Sequence, residues 1–189
     1  MSRADAGVGL GLWSKPTLVG TVVTLRPYRA EDAEAVWEML GDAEGRELTA
    51  TTAEFTRAGV DEWVGSRASV PDRLDLAIVE NATGDWAGEV VLNEMVPDAD
   101  GRPCEANFRI ALRGPGWYGR GLGTEATALM LAHAFERIGL TTVVLDVLAR
   151  NPRAVRAYEK AGFVETSRQE EDGEEWIDMA ITREQWASR

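Results

Sequence analysis

The stretch Arg113–Thr127, RGPGWYGRGLGTEAT, places glycine at positions 114, 116, 119, 121 and 123 and then runs into an apolar helix pattern. Backbone without side chains can approach a ligand closely, and the first turn of a helix offers unpaired N–H groups to an anion. Three phosphate-bearing ligands compete. Gly114, Gly116 and Gly119 spell G-x-G-x-x-G, and Asp146 ends a later strand where a ribose-binding acid would sit. That dinucleotide reading fails on context. Pro115 interrupts the turn, the preceding strand carries Asn107 and Arg109 on one face, and the alternation of strand and helix is absent. The nucleoside-triphosphate reading fails at Arg120-Gly121, where lysine and a hydroxyl residue are required. The third reading uses Gly119, Gly121 and Gly123, with Thr124 and Glu125 in the first helical turn and Arg120 as a cation between the glycines. The residues alone leave open whether this is a pyrophosphate cradle or a tight bend between strand and helix.

A second constellation lies downstream. Asn151 and Tyr158 are seven residues apart on one short helix, two turns and therefore one face. Asn151 suits the N-cap, Pro152 the first helical position and Gly162 the left-handed position past the end. A phenol, with an ordinary pKa of roughly 10, is a proton donor at neutral pH. A capping Asn and an amphipathic Tyr also need no function.

Periodicity and turn chemistry give the strands and helices that would carry these groups. Thr21–Pro27 alternates and is β-branched, a first strand. Glu31–Leu40 is helical, with Ala33, Val36, Trp37 and Leu40 at three- and four-residue spacing, and a second helix is expected over Thr52–Arg67. Leu74–Glu80 and Trp86–Glu94 form a hairpin around NATGD. Glu105–Leu112 is a strand with Ala106, Phe108, Ile110 and Leu112 on one face and Asn107 and Arg109 on the other. A helix runs from the glycines to about Ile138, then a buried strand at Thr141–Val147, the Asn151–Gly162 helix, and strands near Phe163–Gln169 and Glu175–Arg183. The order β-α-α-β-β-β-α-β-α-β-β gives a mixed α/β (α+β) domain with a mostly antiparallel sheet. A flexible tail is expected over 1–16 and a single domain over 17–189.

The chain has 189 residues, 20 Lys+Arg against 32 Asp+Glu, a net charge of −12, and 44% hydrophobic residues. That field disfavours DNA or RNA and favours cations, although acid also serves solubility alone. No apolar run is long enough to span a membrane and the start lacks a signal-peptide pattern, so a cytoplasmic setting is expected. The single cysteine, Cys104, closes no disulfide. The single histidine, His133, lies in an apolar helix and reads as packing, so no metal site and no covalent acyl-enzyme are expected.

Together, GWYGRGLGTEA and NPRAVRAYEKAGF resemble the phosphate loop and the later helix of the GNAT acetyltransferase superfamily, and in particular its ribosomal-protein N-terminal acetyltransferase (Rim-type) branch. PTLVGTVVTLRPY resembles that branch's opening strand, and the likeness runs from about Pro16 to the C-terminus. It implies the GNAT fold, a splayed central sheet, with acetyl-CoA as co-substrate. By resemblance the pantetheine arm lies along Ile110, Ala111 and Leu112, and the pyrophosphate on Tyr118, Gly119, Arg120, Gly121, Leu122, Gly123 and Thr124. Asn151 contacts the arm, Tyr158 faces the sulfur, and Arg156 is a cofactor contact or a structural ion pair. Two positions depart from the pattern: Tyr118 stands where Gln or Arg is usual, and Asn107 where the branch often has Glu.

The implied chemistry is direct attack of a primary amine on the thioester. Backbone N–H groups near Ile110–Ala111 are candidate oxyanion donors. Tyr158 would protonate the thiolate, and Glu94 and Glu105 are the nearest candidates in sequence for a base. The acceptor is expected to be a cationic small-molecule amine or a protein N-terminus, and the chain a monomer or homodimer. A non-catalytic acyl-CoA sensor and a dinucleotide-dependent oxidoreductase are the alternatives, separated by thiol release and by cofactor preference.

Overall fold

The computed structural model describes residues 15–71 and 73–189. The tail expected over 1–16 lies outside the described residues except for Lys15 and Pro16, and Lys15 donates to the carbonyl of Arg73. In chain order the elements are β1 (Leu18–Val19), β2 (Val23–Arg26), α1 (Ala33–Leu40), α2 (Ala43–Leu48), α3 (Arg57–Arg67), β3 (Leu74–Glu80), β4 (Trp86–Pro97), β5 (Pro103–Leu112), α4 (Leu122–His133), β6 (Thr142–Leu148), α5 (Pro152–Ala161), β7 (Val164–Glu171), β8 (Glu174–Thr182) and α6 (Arg183–Ala187). Among the described residues the eight strands make one sheet, ordered β1-β2-β3-β4-β5-β6-β8-β7, mixed α/β as the pattern predicts. Every neighbouring pair is antiparallel except β5 and β6. No helix among the described residues is long and apolar enough to cross a membrane.

Several boundaries differ from the sequence reading for local reasons. The helix expected from Thr52 begins at Arg57, because the Thr56 hydroxyl accepts from the Gly59 N–H at 3.1 Å and caps it there. The first strand is two short pieces, β1 and β2, folded back on each other with Leu18 opposite Leu25. Two short helices escaped the periodicity, being held by caps rather than by buried faces. In α2 the Asp42 carboxylate accepts from Gly45 N–H at 3.0 Å, and Thr182 and Gln185 form a capping box before α6.

The sheet is covered on both faces. On one, Leu122, Ala126, Met130 and Leu131 of α4 pack on Ala106 and Phe108 of β5 and on Val143, Leu145 and Val147 of β6, with Tyr158 of α5 against the same core. On the other, α1 and α3 bury Val36, Val60 and Val64 against Tyr28, Ala77 and Trp86. Burial of each such aliphatic side chain is worth about 1.5–3 kcal/mol against exposure, which fixes the faces of the central strands. Along β5 the alternation is as read: Ala106 and Phe108 are buried toward α4, and Arg109 is exposed.

A bulge in β4 interrupts its alternation. Val79 faces Trp86 while Ile78 faces Gly88, so Ala87 is an extra residue in the strand. The bulge reverses the phase of the side chains. Trp86 packs with α1 and α3, yet Val90 and Leu92 face α4. Gly88 is required here, since a Cβ would lie 2.2 Å from the Ala111 carbonyl oxygen.

Candidate active site

The two parallel strands pair over only three positions: Glu105 with Thr142, Ala106 with Val143 and Asn107 with Val144. Beyond Asn107 they separate, and the sheet opens. The edge of β5 in this opening can be worked out from its ladder. Arg113 N–H donates to the Ala87 carbonyl at 2.8 Å. By the two-residue period of an antiparallel pair, the N–H groups of Ala111 and Arg109 also point to β4, and those of Ile110 and Leu112, past the last β6 pair of Asn107 with Val144, point into the opening without a ladder partner. Of the two oxyanion donors expected near Ile110–Ala111, the ladder therefore leaves Ile110.

At one end of this edge stands the glycine loop. Gly119 and Gly121 hold left-handed φ angles of 72° and 79°, and a Cβ on either would meet nothing within 4 Å. They are glycine because of the backbone turn, and the space beside them is open. Gly121 is the N-cap of α4, so the N–H groups of Leu122, Gly123 and Thr124 form its open first turn. The side chains around them are already engaged. Arg120 pairs with the buried Glu80 and lies over the Trp117 ring, 5.0 Å from its centroid. Tyr118 stacks under Arg153 at 3.9 Å and points its hydroxyl at Asp42, 3.5 Å away. Glu125 faces away from the loop and accepts from the backbone N–H groups of Thr21, Val22 and Val23 at 2.8, 2.7 and 2.8 Å. Desolvation pushes this carboxyl up, but the three donors outweigh it and hold it below the ordinary value.

At the other end stands α5. Asn151 caps it, accepting from Ala154 N–H at 3.2 Å, and its amide also donates to the Leu48 carbonyl at 3.4 Å. The short α2 thereby ties the glycine loop to the start of α5, through Asp42, Glu44–Arg153 and Leu48. Tyr158 is wedged against Phe108 and Phe163, edge to face, at 6.3 and 5.9 Å. Its hydroxyl has no hydrogen-bond partner among the described residues. Burial and the neighbouring Asp146 carboxylate push the phenol up to about 12, against an opposing pull from Arg109. Arg156 is exposed on α5 and makes no ion pair among the described residues.

The opposite face of the opening carries groups that sequence reasoning did not assign to a site. Asn107 and Arg109 of β5, Asp146 of β6 and Asp178 of β8 share it, Asp146 lying directly opposite Asp178. Although Asp146 is solvent-exposed at the rim, partial desolvation, with Asp178 and Glu94, raises its carboxyl, while a backbone hydrogen bond and Arg109 draw it down. The alternation of β5 put Arg109 on this face; nothing local showed that Asp146 would join it. Next to Arg109 on the same face, Glu89 of β4 sits opposite Ala111 and accepts from the Tyr28 hydroxyl at 2.7 Å.

The two bases expected from sequence sit further along the strands, and the charge of Glu94 still reaches Asp146. Glu105 is on the paired stretch of β5, before the opening. Glu94 is exposed at a second bulge in β4, in a left-handed conformation with φ 51°, and accepts from the Asn93 amide at 3.2 Å. It lines a groove of ≈ 740 Å³ with Arg67, Arg73 and Met95. His133 is half-buried in α4 and held below its ordinary value by desolvation and Arg137. No group of three or more His, Cys, Asp or Glu among the described residues could hold a metal ion.

A sheet opened between two parallel strands, with a glycine-capped helix at its mouth, defines a class, and the comparisons agree. The chain belongs to the GNAT acetyltransferase family: the acetyltransferase (GNAT) domain matches residues 23–164. It is 44% identical over 70 residues to the mycothiol acetyltransferase of Cellulomonas flavigena, a match over 36% of this chain and 20% of that protein. The chain therefore matches about a fifth of that curated relative's length. The structure of spermidine N-acetyltransferase from Vibrio cholerae, in complex with CoA and spermine, superposes with a TM-score of 0.78 at 19% identity, over 89% of this chain and 99% of that one. A GNAT-family acetyltransferase from Bacillus anthracis gives 0.77 at 15% identity, over 89% and 99%. At these identities the structural likeness is one of fold.

Proposed function

We propose that this chain transfers an acetyl group from acetyl-CoA to a primary amine by direct attack, with no covalent acyl-enzyme. The observation that carries the reading is the unpaired edge of β5 at Ile110 and Leu112, with the glycine-capped start of α4 at one end and Tyr158, packed on Phe108, at the other. Leu122, Gly123 and Thr124 would receive the pyrophosphate with their backbone N–H groups, and Gly119 and Gly121 leave room for it. Because Arg120 and Tyr118 are engaged elsewhere, the loop binds through its backbone. Ile110 and Leu112 would hold the pantetheine arm as an added strand edge, and Ile110 N–H would face the developing oxyanion. Arg156, exposed and without an ion pair among the described residues, is available to a phosphate of the same molecule.

Tyr158 would donate to the departing sulfur. The acceptor would approach from the face bearing Arg109, Asp146 and Asp178. We take it to be a cationic amine carrier, either a polyamine-like small molecule or the α-amine of a basic protein. The net charge of −12 supports this. So does the likeness of the two motifs to the ribosomal-protein branch, and the fold is shared with a spermidine acetyltransferase. The test is a panel of spermidine, an aminoglycoside, a basic peptide with a free α-amine and a neutral amino acid, each mixed with acetyl-CoA while free thiol is followed. Thiol release with a cationic member is expected. CoA binding without release from any amine would favour a sensor and overturn the enzymatic reading.

A further inference from the structure

Glu89 is a carboxylate that local pattern does not direct to the site. With Trp86 facing α1 and α3, simple alternation would turn Glu89 toward α4, into the main core. The extra residue Ala87 reverses that phase and turns Glu89 to the acceptor face. There its neighbour across the ladder is Ala111, a small side chain on the same face as Arg109. Directly opposite residues of a ladder have Cβ atoms about 4.5–5.5 Å apart, and a glutamate reaches further than that.

Distance along the strand separates Glu89 from the other acids. Each residue advances about 3.3 Å. Glu89 and Ala111 are therefore about one residue from the level of Ile110, whose N–H would face the oxyanion. Glu94 lies beyond the Asn93–Asn107 pair, about 10 Å or more along the sheet, and Glu105 about 16 Å.

Its partners are arranged for a base rather than for a structural ion pair. Tyr28, just before α1, donates to Oε2, and Oε1 has no hydrogen-bond partner among the described residues. Of the charges around it, Asp75 of β3 is already held by Arg73, with an N–O distance of 2.7 Å, and Arg109 of β5 faces the acceptor side without an ion pair among the described residues. Desolvation raises the Glu89 carboxyl, and Asp75 adds to this; Tyr28, Arg109 and Arg73 pull the other way.

We infer that Glu89 is the general base that takes the proton from the acceptor ammonium, with Tyr28 as its positioning residue. The inference rests on the acetyl-transfer function proposed for this chain. In the step, R–NH3+ gives one proton to the Glu89 carboxylate, and the neutral nitrogen forms the C–N bond to the acetyl carbon. The C–S bond breaks. The sulfur takes a proton from the Tyr158 hydroxyl, which regains one from the nitrogen as the amide forms, and Glu89 releases its proton to water. The balance is one amide, one free thiol and one proton.

The test compares wild type, Glu89→Gln and Tyr28→Phe with acetyl-CoA and two probe amines, spermidine and a basic tetrapeptide with a free α-amine. Readouts are kcat against pH and CoA affinity. Glu89→Gln should lower kcat about 10²–10⁴-fold. It should lose the plateau that wild type reaches above the Glu89 titration and keep CoA affinity within threefold. Tyr28→Phe removes a donor that favours the ionised carboxylate, so its acid limb should move to higher pH, a shift that a purely structural role would not give. Wild-type transfer that Glu89→Gln leaves within threefold, with an unchanged pH profile, overturns the assignment of Glu89 alone. No thiol release by wild type with either amine overturns the acetyl-transfer reading and this inference with it.

Discussion

Replacing Tyr158 with Phe removes one oxygen from the opening and keeps the ring that packs on Phe108 and Phe163. The hydroxyl has no partner among the described residues, so its loss should change stability by less than about 1 kcal/mol. Its chemical role is set by its pKa, which burial and Asp146 push up to about 12. At pH 8 the phenol is therefore almost entirely protonated, and it stays a donor across the usual assay range. An ordinary thiol titrates near 8.5, so complete transfer from such a phenol to a solvated thiolate is uphill by about 3.5 units, or about 5 kcal/mol. The same desolvation raises the thiolate's proton affinity, and a hydrogen bond to the sulfur as charge develops needs no complete transfer before the C–S bond breaks. The expected cost resembles that of losing one preorganised donor, about 10²–10³ in kcat, or roughly 2.7–4 kcal/mol. Steady-state thiol release, calorimetric CoA titration and a thermal melt would measure the three quantities. A Tyr158→Phe protein that keeps kcat within fivefold would refute the donor role. So would an alkaline limb near pH 9–10 that disappears in the variant, because a phenol held at about 12 cannot produce it.

Gly121→Glu should weaken CoA binding by more than tenfold relative to Gly121→Ala. Both substitutions carry the left-handed backbone penalty of about 1–2 kcal/mol at φ 79°, and only Glu puts negative charge where the pyrophosphate belongs; equal affinities by calorimetry would dissociate the loop from the phosphates. Glu125→Ala should destabilise the fold by about 1–2 kcal/mol, a figure reduced for solvent exposure, because three N–H groups of the β1–β2 turn lose their acceptor. Since its folded pKa is depressed, the Glu125 contribution is present above the unfolded value near 4.5 and is lost as pH falls through the folded one. Denaturant melts at pH 7 and pH 3 should therefore show the difference between wild type and Glu125→Ala shrinking at the lower pH. For a cationic acceptor, kcat/KM should fall with added salt while kcat holds, as the Debye length drops from about 10 Å at 0.1 M to about 3 Å at 1 M. A salt-independent kcat/KM, with neutral amines outperforming spermidine and basic peptides, would remove the electrostatic argument.

Much of the scaffold was legible because its signals are local. Asn151, Pro152 and Gly162 bound α5 at the expected positions, since cap, first turn and left-handed stop are properties of a few adjacent residues. The alternation along β5 separated Phe108 from Arg109 because strand period and burial agree there. The glycines announced a close approach, and the structure shows left-handed backbone with open space beside Gly119 and Gly121.

Features that depend on register, or on strands distant in the chain, escaped that reading. The short α2 has no buried face and was invisible to periodicity, although its Leu48 carbonyl meets Asn151 across 103 positions. Asp146 and Arg109 share a face only because β5 and β6 pair for three residues and then part. Glu89 is the sharpest instance. Its residue type and its place in a strand were plain, yet one unpaired residue, Ala87, decides which side of the sheet its carboxylate occupies. The main strands and helices, the ends of α5 and the glycine-capped helix start are written in the chain, because they rest on contacts within a few residues. Which acids and cations converge on the opening is settled only by packing, because a bulge or a splay changes the facing of a side chain without changing its propensity.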